Sequence, residues 1–224
     1  MANIQADNQG FDNGRLSLYL FTGFSDHSDC VKDFMNKDKC ISIIRSAVQK
    51  GTHPGPPEDD RFQPTSVIAL FTINQAVELV FIQKADVKGY PWANQMAFPG
   101  GHKDKADRST KDTALRELAE EMGINRKNVE VIGSLGHFQT INNKDIEAWV
   151  GIWNQKEAID YDRSEISRVF QIPLTYLIDL HQEKQFHRHV PNVMLLTYPF
   201  EDVLIWGVTA KILYHLIEVL LKND

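Results

Sequence analysis

The sequence predicts an α/β domain, in the broad sense that includes α+β folds, with several strands and one helix rich in carboxylates. Runs of β-branched and aromatic residues predict the strands, and apolar residues at helical spacing predict the helices. The chain has 224 residues, which suits one domain with an extension better than two average domains. Apolar residues make up 42% of it, so the chain can build a hydrophobic core and is not globally disordered.

The first 37 residues are mostly polar and are predicted to be an N-terminal extension, so the domain is expected over residues 38–224. Within the extension, the apolar run at 16–21 is either a homodimer contact or a strand added to the sheet. Residues 38–50 then predict an amphipathic helix with Asp38 as its N-cap. The prolines and acidic residues of 51–64 predict a loop before the strands begin.

Most of the remaining chain alternates between predicted strands and helices. Strands are expected at 66–72, 77–82, 129–139 and 146–153, with short apolar segments at 96–98 and 170–174. A short helix is expected to end near Leu180, and residues 208–222 predict a final amphipathic helix. Residues 187–199 predict a hairpin around Pro191-Asn192.

Residues 109–122 predict the helix on which the functional argument depends. Ser109 or Thr110 can cap its start, and Gly123 stands where helices commonly end in a left-handed residue. Its interior is filled by good helix formers, so the element is expected to have defined ends.

Composition excludes some classes of protein. The formal net charge is −6, so a general nucleic-acid-binding surface is not expected. The sequence has no run of about 18 apolar residues, so no membrane span is expected. Its start lacks the pattern of a secretory signal and its end lacks a peroxisomal address, which together indicate a cytoplasmic protein. Cys30 and Cys40 are expected to be reduced thiols.

Three glutamates lie on one face of the predicted helix, because residues three and four apart are neighbours there: Glu117, Glu120 and Glu121. Carboxylates this close repel one another unless a cation joins them, and a hard divalent cation such as Mg²⁺ prefers oxygen ligands. Arg116 can orient one carboxylate through a charge-assisted hydrogen bond. A solvated charged face is the alternative, but the fixed order of the surrounding motif argues against it.

The rest of the motif adds a glycine pair and an apolar helix face. Gly100 and Gly101 precede the helix and let backbone carbonyls approach a metal closely. The opposite helix face carries the residues expected to pack on a sheet: Ala114, Leu115, Leu118 and Met122.

This arrangement resembles the box of the Nudix hydrolases. The segment 116–124 matches the second half of that box throughout. In the first half, Asp107 stands where the box has Glu, and the interval to Arg116 is one residue longer. Both departures are features of the coenzyme A pyrophosphatase branch of the family. Three further segments are similar to that branch, at 97–101, 165–174 and 205–213.

The resemblance implies a fold and an activity. The fold is a mixed sheet sandwiched between helices, with the box as a loop–helix–loop. The activity is hydrolysis of the pyrophosphate bond of a nucleoside diphosphate derivative, a small molecule, with Mg²⁺ or Mn²⁺ as cofactor. The implied metal ligands are the three box glutamates and the Gly100 carbonyl, with Arg116 as their orienting partner. Glu165 is the candidate general base and Glu117 the alternative.

Substrate identity is less determined by these motifs. The coenzyme A signature of the branch contains arginines where this sequence offers Lys84 and Lys88. These lysines could hold phosphates, and Trp92 could stack on a base or anchor its loop. Coenzyme A or a similar compound is the first expectation. The alternatives are ADP-ribose or another nucleotide-sugar or dinucleotide substrate, an RNA 5′-end, or a non-catalytic nucleotide sensor. His102 and His137 are weaker catalytic candidates.

Overall fold

The computed structural model describes residues 37–87 and 92–222. The predicted extension up to residue 36, with its apolar run at 16–21, lies outside these residues. Lys88, one of the predicted substrate-binding lysines, lies outside them as well.

Within the described ranges the chain forms four α-helices, α1 (Lys37–Lys50), α2 (Thr110–Met122), α3 (Leu174–Glu183) and α4 (Gly207–Leu221). The strands are β1 (Gln63–Ile73), β2 (Val77–Lys84), β3 (Met96–Ala97), β4 (Gly100–His102), β5 (Val129–Gln139), β6 (Lys144–Trp153), β7 (Ile166–Pro173), β8 (Tyr198–Phe200) and β9 (Val203–Ile205). The first helix and the central strands agree with the sequence prediction to within a few residues.

A mixed sheet forms the middle of the molecule. Its central strand β1 pairs with β6 in parallel and with β2 and β4 antiparallel. Strand β2 also pairs with β7 and β3, and β6 pairs with β5, all antiparallel. Residues 68–73 of β1 are all buried, which is the pattern of a strand covered on both faces.

Helices cover both faces of this sheet, as predicted. On one face, α2 packs through Leu115 and Leu118 against Ile68 of β1 and Val80 of β2. On the other face, the buried sides of α1 and α4 share a second cluster with Phe71 and neighbouring strand residues. Among the helices that the structure describes, α2 is the one whose buried residues pack on this face of the sheet. The box helix lies there beside β1 and β2.

The predicted hairpin at 187–199 is wrong. The structure has a turn there, in which the N–H groups of Leu195 and Leu196 both donate to the Asn192 carbonyl. A hairpin follows directly after this turn and is formed by β8 and β9. The Lys184 ammonium closes segment 184–197 on the Thr197 carbonyl at 2.8 Å, and Glu218 of α4 accepts the Arg188 N–H at 3.1 Å. The contact with α4 joins residues 30 apart and leaves no local pattern in the sequence.

No helix in the described part of the chain combines the length and apolar character needed to cross a bilayer.

Candidate active site

Local capping sets the ends of α2. The Ser109 hydroxyl accepts the Asp112 N–H at the start, at 3.2 Å. At the end, Gly123 has φ 68° and donates its N–H to the Ala119 carbonyl at 3.1 Å. Ser109 is thus the N-cap and Gly123 the left-handed C-cap, two of the positions that the sequence indicated. The predicted apolar face is buried.

The three glutamates on this helix differ sharply in exposure. The Glu121 side chain is 3% exposed, Glu117 is 17% exposed and Glu120 is 60% exposed. The structure therefore brings Glu117 and Glu121 into a partly enclosed site, while Glu120 lies at its outer edge.

Glu121 is held from two directions. Its Oε1 lies 2.5 Å from the Lys84 ammonium at the end of β2. Its Oε2 accepts the Gly100 N–H at 2.9 Å. Burial raises the pKa of Glu121, and the Lys84 charge and the Gly100 hydrogen bond offset this only in part. Lys84 and Gly100 therefore do not fully compensate the cost of burying the negative charge of Glu121.

Glu117 lies against the glycine pair. A Cβ added to Gly101 would come within 2.4 Å of the Glu117 carboxylate, so a larger residue there would displace the end of that side chain. Arg116 pairs with Glu117 at 3.0 Å. Burial raises the pKa of Glu117 in spite of that partner. Gly100 approaches β1 equally closely, because a Cβ there would lie 2.1 Å from the Ser66 carbonyl oxygen.

Arg116 connects the helix to the loop that precedes it. Its Nε and Nη2 donate to the two oxygens of Asp107 at 3.2 and 3.0 Å, a bidentate pair. It also donates to Glu120 at 2.7 Å and to the His102 carbonyl at 3.0 Å. The Arg116 hydrogen bonds lower the pKa of Asp107 to about 2. Arg116 thereby fixes both the loop and the box carboxylates.

A later segment of the chain caps the end of α2. The N–H groups of Asp160 and Asp162 donate to the Met122 and Glu121 carbonyls at 3.1 and 2.9 Å. This approach requires Gly123, since a Cβ there would lie 2.9 Å from the Asp160 carbonyl oxygen. The close contact satisfies helix carbonyls that would otherwise need water.

Glu165 follows directly from this capping segment. It is exposed, and its carbonyl accepts the Ala85 N–H at 2.8 Å, next to Lys84. Its negative charge contributes to the raised pKa of Glu121, so the two carboxylates are near enough to interact. The structure thus brings Glu165 to the open side of the box.

The predicted substrate groups are placed unevenly. The Lys84 side chain is 15% exposed, and its ammonium contacts the box through the Glu121 carboxylate. Trp92 is 39% exposed in a turn, and its carbonyl accepts the Gln95 N–H at 3.2 Å. Lys88 falls outside the described residues.

A polar row beside the box was not singled out from the sequence. Gly101 lies opposite Ser66 of β1, which lies opposite Glu147 of β6, which lies opposite His137 of β5. Glu147 also accepts a hydrogen bond from the Thr110 hydroxyl at the start of α2. The signal was available, because polar residues alternate with buried apolar ones along β6.

The weaker histidine candidates have structural partners. His137 pairs through Nδ1 with Asp145 of the neighbouring strand at 2.8 Å. The His102 carbonyl accepts Arg116, and burial together with the nearby Lys144 charge lowers the pKa of the His102 ring.

The donor set suits a hard divalent cation. The Glu121 carboxylate lies beside Gly100 and that of Glu117 beside Gly101, and oxygen ligands are what Mg²⁺ and Mn²⁺ prefer. The raised pKa values of Glu117 and Glu121 show that Arg116 and Lys84 do not fully compensate these carboxylates. A bound dication would supply the missing positive charge, so the residues fit the group that the box implies.

The model of the NUDIX domain matches residues 62–192, more than half of the chain and all of the box. This chain belongs to the Nudix family. An uncharacterized Nudix hydrolase, NudL, of Pectobacterium atrosepticum is 33% identical over 142 residues, which cover 60% of this chain and 70% of the relative. NudL of Photorhabdus laumondii is 31% identical over 132 residues, covering 55% and 67%.

Among solved structures, a MutT/nudix family protein from Enterococcus faecalis is similar with a TM-score of 0.48 and 18% identity. The similarity covers 86% of this chain and 73% of that one. The predicted fold and enzyme class are confirmed: the chain is a Nudix hydrolase. The family hydrolyses pyrophosphate bonds and generally uses divalent cations.

Proposed function

We propose that this Nudix hydrolase cleaves the pyrophosphate bond of coenzyme A or a compound like it, with Mg²⁺ or Mn²⁺ as cofactor. The observation that carries the catalytic part is the pair of carboxylates beside Gly100 and Gly101, Glu121 buried and Glu117 partly buried. Burial raises the pKa of both, which supports a role for a cation beside them.

The box residues have different roles in binding the metal. Glu117 and Glu121 are the main ligands, Glu120 completes the set from the outer edge, and the Gly100 carbonyl is a further ligand. The bound cation supplies neutralisation of the phosphate charge and a lower pKa for the attacking water. Arg116 positions the carboxylates, since it contacts both Glu117 and Glu120.

Glu165 is the general base in this proposal. It is exposed and within electrostatic reach of Glu121. Its carboxylate would take a proton from the attacking water; the resulting hydroxide would bond to one phosphorus, the bond from that phosphorus to the bridging oxygen would break, and the other phosphate would leave with that oxygen. Glu117 is the alternative base, but its pairing with Arg116 and its place among the metal ligands favour a binding role.

The choice of coenzyme A rests on three sequence segments and on the box departures. Segments 97–101, 165–174 and 205–213 are similar to the coenzyme A pyrophosphatase branch, and the insertion before Arg116 points the same way. Lys84 stands beside Glu121, where it could meet a phosphate shared with the metal. Lys88 and Trp92 would grip the remainder of the nucleotide.

A second candidate is ADP-ribose or another nucleotide-sugar or dinucleotide. The observation that favours it is the replacement of the branch arginines by Lys84 and Lys88. Lysine offers a point charge and lacks the planar fork with which arginine holds a phosphate in two places.

The catalytic assignment is tested with Glu121→Gln. Hydrolysis with Mg²⁺ should fall by about 100-fold or more, since losing even an outer partner of a metal ligand costs about 10–100-fold. Glu183→Gln, an exposed glutamate at the end of α3, is the matched control and should hydrolyse normally. Full activity of Glu121→Gln with unchanged metal dependence would reject the assignment.

The substrate is tested by incubating the protein with coenzyme A, ADP-ribose, dinucleoside polyphosphates, NADH and nucleoside triphosphates. Release of a nucleoside monophosphate from coenzyme A at the highest kcat/KM supports the proposal. Fast cleavage of ADP-ribose with none of coenzyme A supports the second candidate. Binding of a nucleotide without cleavage of any compound would indicate a non-catalytic sensor.

A further inference from the structure

A second group of metal-ligating side chains lies away from the box. It consists of His181 in the last turn of α3, His187 in the following segment and Glu218 of α4. Glu218 Oε1 lies 3.0 Å from His181 Nε2 and 2.9 Å from His187 Nδ1. One ligand atom from each residue lies within 4.8 Å of the others.

The burial of this group calls for an explanation. The side chain of His181 is 0% exposed and that of Glu218 is 6% exposed. The other buried residues of α4 are apolar apart from Thr209, so Glu218 places a carboxylate in a hydrophobic helix face. Such a group is costly unless it is paired or coordinates a metal. The His187 side chain is 24% exposed and gives the group a route to solvent.

The outer contacts orient the two buried ligands. The Tyr198 hydroxyl lies 2.9 Å from His181 Nδ1, the ring nitrogen that does not face Glu218. The Arg188 N–H donates to Glu218 Oε2 at 3.1 Å, which leaves Oε1 for the two histidines. Partners on the far nitrogen of a histidine and the far oxygen of a carboxylate are typical of protein metal sites.

We propose that His181, His187 and Glu218 bind a zinc-like transition-metal dication at a site separate from the box. Two imidazoles and one carboxylate form a recurrent zinc ligand set, with water in the fourth position. In a tetrahedral site with bonds of roughly 2.0–2.1 Å, ligand atoms stand about 3.3–3.4 Å apart. The two separations from Glu218 Oε1, 2.9 and 3.0 Å, need to open by a few tenths of an ångström, and the third, between the two histidine nitrogens, lies within 4.8 Å.

The two sites offer different ligand atoms and are therefore expected to prefer different metals. The box offers carboxylate oxygens, which suit Mg²⁺ or Mn²⁺, whereas two imidazole nitrogens favour Zn²⁺ or Co²⁺. The second site joins α3, the segment after it and α4, so the metal would brace this side of the molecule. This inference stands independently of the substrate and of the catalytic assignment.

The test uses the full chain, freed of metal by a chelator and titrated with Co²⁺. A site with two imidazoles should give the strong visible absorption of tetrahedral Co²⁺, which an oxygen-rich octahedral box site does not give. The absorption should persist in Glu121→Gln, which alters the box. In His187→Gln the apparent affinity should fall by about tenfold or more. His189→Gln, an exposed neighbour outside the group, is the matched control and should bind as the wild type does.

X-ray absorption of the zinc-loaded Glu121→Gln chain gives a second measurement that needs no change in the proposed site. Two imidazole ligands per zinc support the proposal. The proposal is overturned if the chain takes up neither metal, if zinc binds without imidazole ligands, or if a folded His187→Gln chain binds as tightly as the control. In any of these cases the three side chains form a hydrogen-bonded network only.

Discussion

Asp107 illustrates how one short carboxylate organises the loop before the box helix. Besides its bidentate pair with Arg116, it accepts the Asp104 N–H at 2.9 Å and the Thr113 hydroxyl at 3.0 Å. Its side chain is 6% exposed, so these contacts are shielded from solvent. The loop, the arginine and the first turn of α2 therefore depend on a single residue.

Replacing this residue should destabilise the protein in a pH-dependent way. For Asp107→Asn we expect a loss of about 1–3 kcal/mol in unfolding free energy at neutral pH, because charged hydrogen bonds to Arg116 are removed. The folded pKa of Asp107, about 2, lies below its ordinary value of 3.8. Its contribution is thus complete above the ordinary value and is lost as the pH falls toward 2.

Urea unfolding of both proteins at neutral and acid pH measures this difference. Asp60→Asn, at an exposed loop position, is the control and should leave stability unchanged. A difference between wild type and Asp107→Asn that stays constant down to acid pH would contradict the pairing.

The pKa values of the box glutamates Glu117 and Glu121 are shifted in the opposite direction to that of Asp107. The pKa values of Glu117 and Glu121 are raised, so both carboxylates take up protons above the ordinary range of glutamate. Metal binding requires the deprotonated form. We therefore expect the Mg²⁺ concentration for half-maximal hydrolysis to rise as the pH falls from neutral toward mildly acid values.

The stabilisation of the fold by Mg²⁺ should depend on pH in the same direction as Mg²⁺ binding does. Without metal, charged Glu117 and Glu121 disfavour folding above their raised pKa values, and bound metal should remove this cost. The rise in Tm on adding Mg²⁺ should accordingly be larger at neutral pH than at acid pH. A Mg²⁺ requirement and a Tm shift that ignore pH would count against these ligands.

At the scale of elements, the end of α2 and the segment at 160–162 depend on one glycine. Gly123 combines φ 68° with a close approach of the Asp160 backbone. This contact holds residues 160–162 on the end of α2, and Glu165 follows three residues later, near enough to influence the pKa of Glu121. A feature of helix capping thereby positions a candidate catalytic group more than forty residues later in the chain.

Gly123→Ala should weaken both the fold and the activity. The left-handed conformation costs a residue with a Cβ about 1–3 kcal/mol, and the contact with Asp160 must also open. We expect a lower Tm, and a lower kcat because Glu165 moves away from the box. Gly55→Ala is the control, since a Cβ there meets no atom within 4 Å. Unchanged kcat in a measurably destabilised Gly123→Ala would separate Glu165 from catalysis.

At the scale of the whole molecule, the described elements all begin at or after Lys37. Helix α1 belongs to the same hydrophobic cluster as α4 through Ile44, Ala47 and Val48. The domain proposed from the sequence therefore needs α1 even though the family match starts at residue 62.

A chain starting at residue 37 should fold and hydrolyse substrate as the full chain does. A chain starting at residue 52 should be much less stable, because it exposes the α4 surface that α1 covers. Thermal unfolding and the hydrolysis assay measure both. Loss of folding in the chain that starts at residue 37 would show that the first 36 residues belong to the domain.

Local patterns were sufficient for the box and for most elements. The caps of α2, its apolar face and the order of Arg116, Glu117, Glu120 and Glu121 are all encoded within a few turns of one helix. The β-branched and aromatic runs of the long strands were equally visible. The segment at 187–199 was misread because Glu218 of α4 and the Lys184 side chain, and not a strand ladder, hold it.

The sequence by itself indicated the family, the fold and the candidate metal ligands of the box, because their signals lie in short-range spacing. Only the tertiary structure decided that Lys84 meets Glu121 and that Glu165 comes near Glu121. It also brought His181, His187 and Glu218 together. The physical reason is that these contacts join segments far apart in the chain, whose approach is set by sheet pairing and core packing.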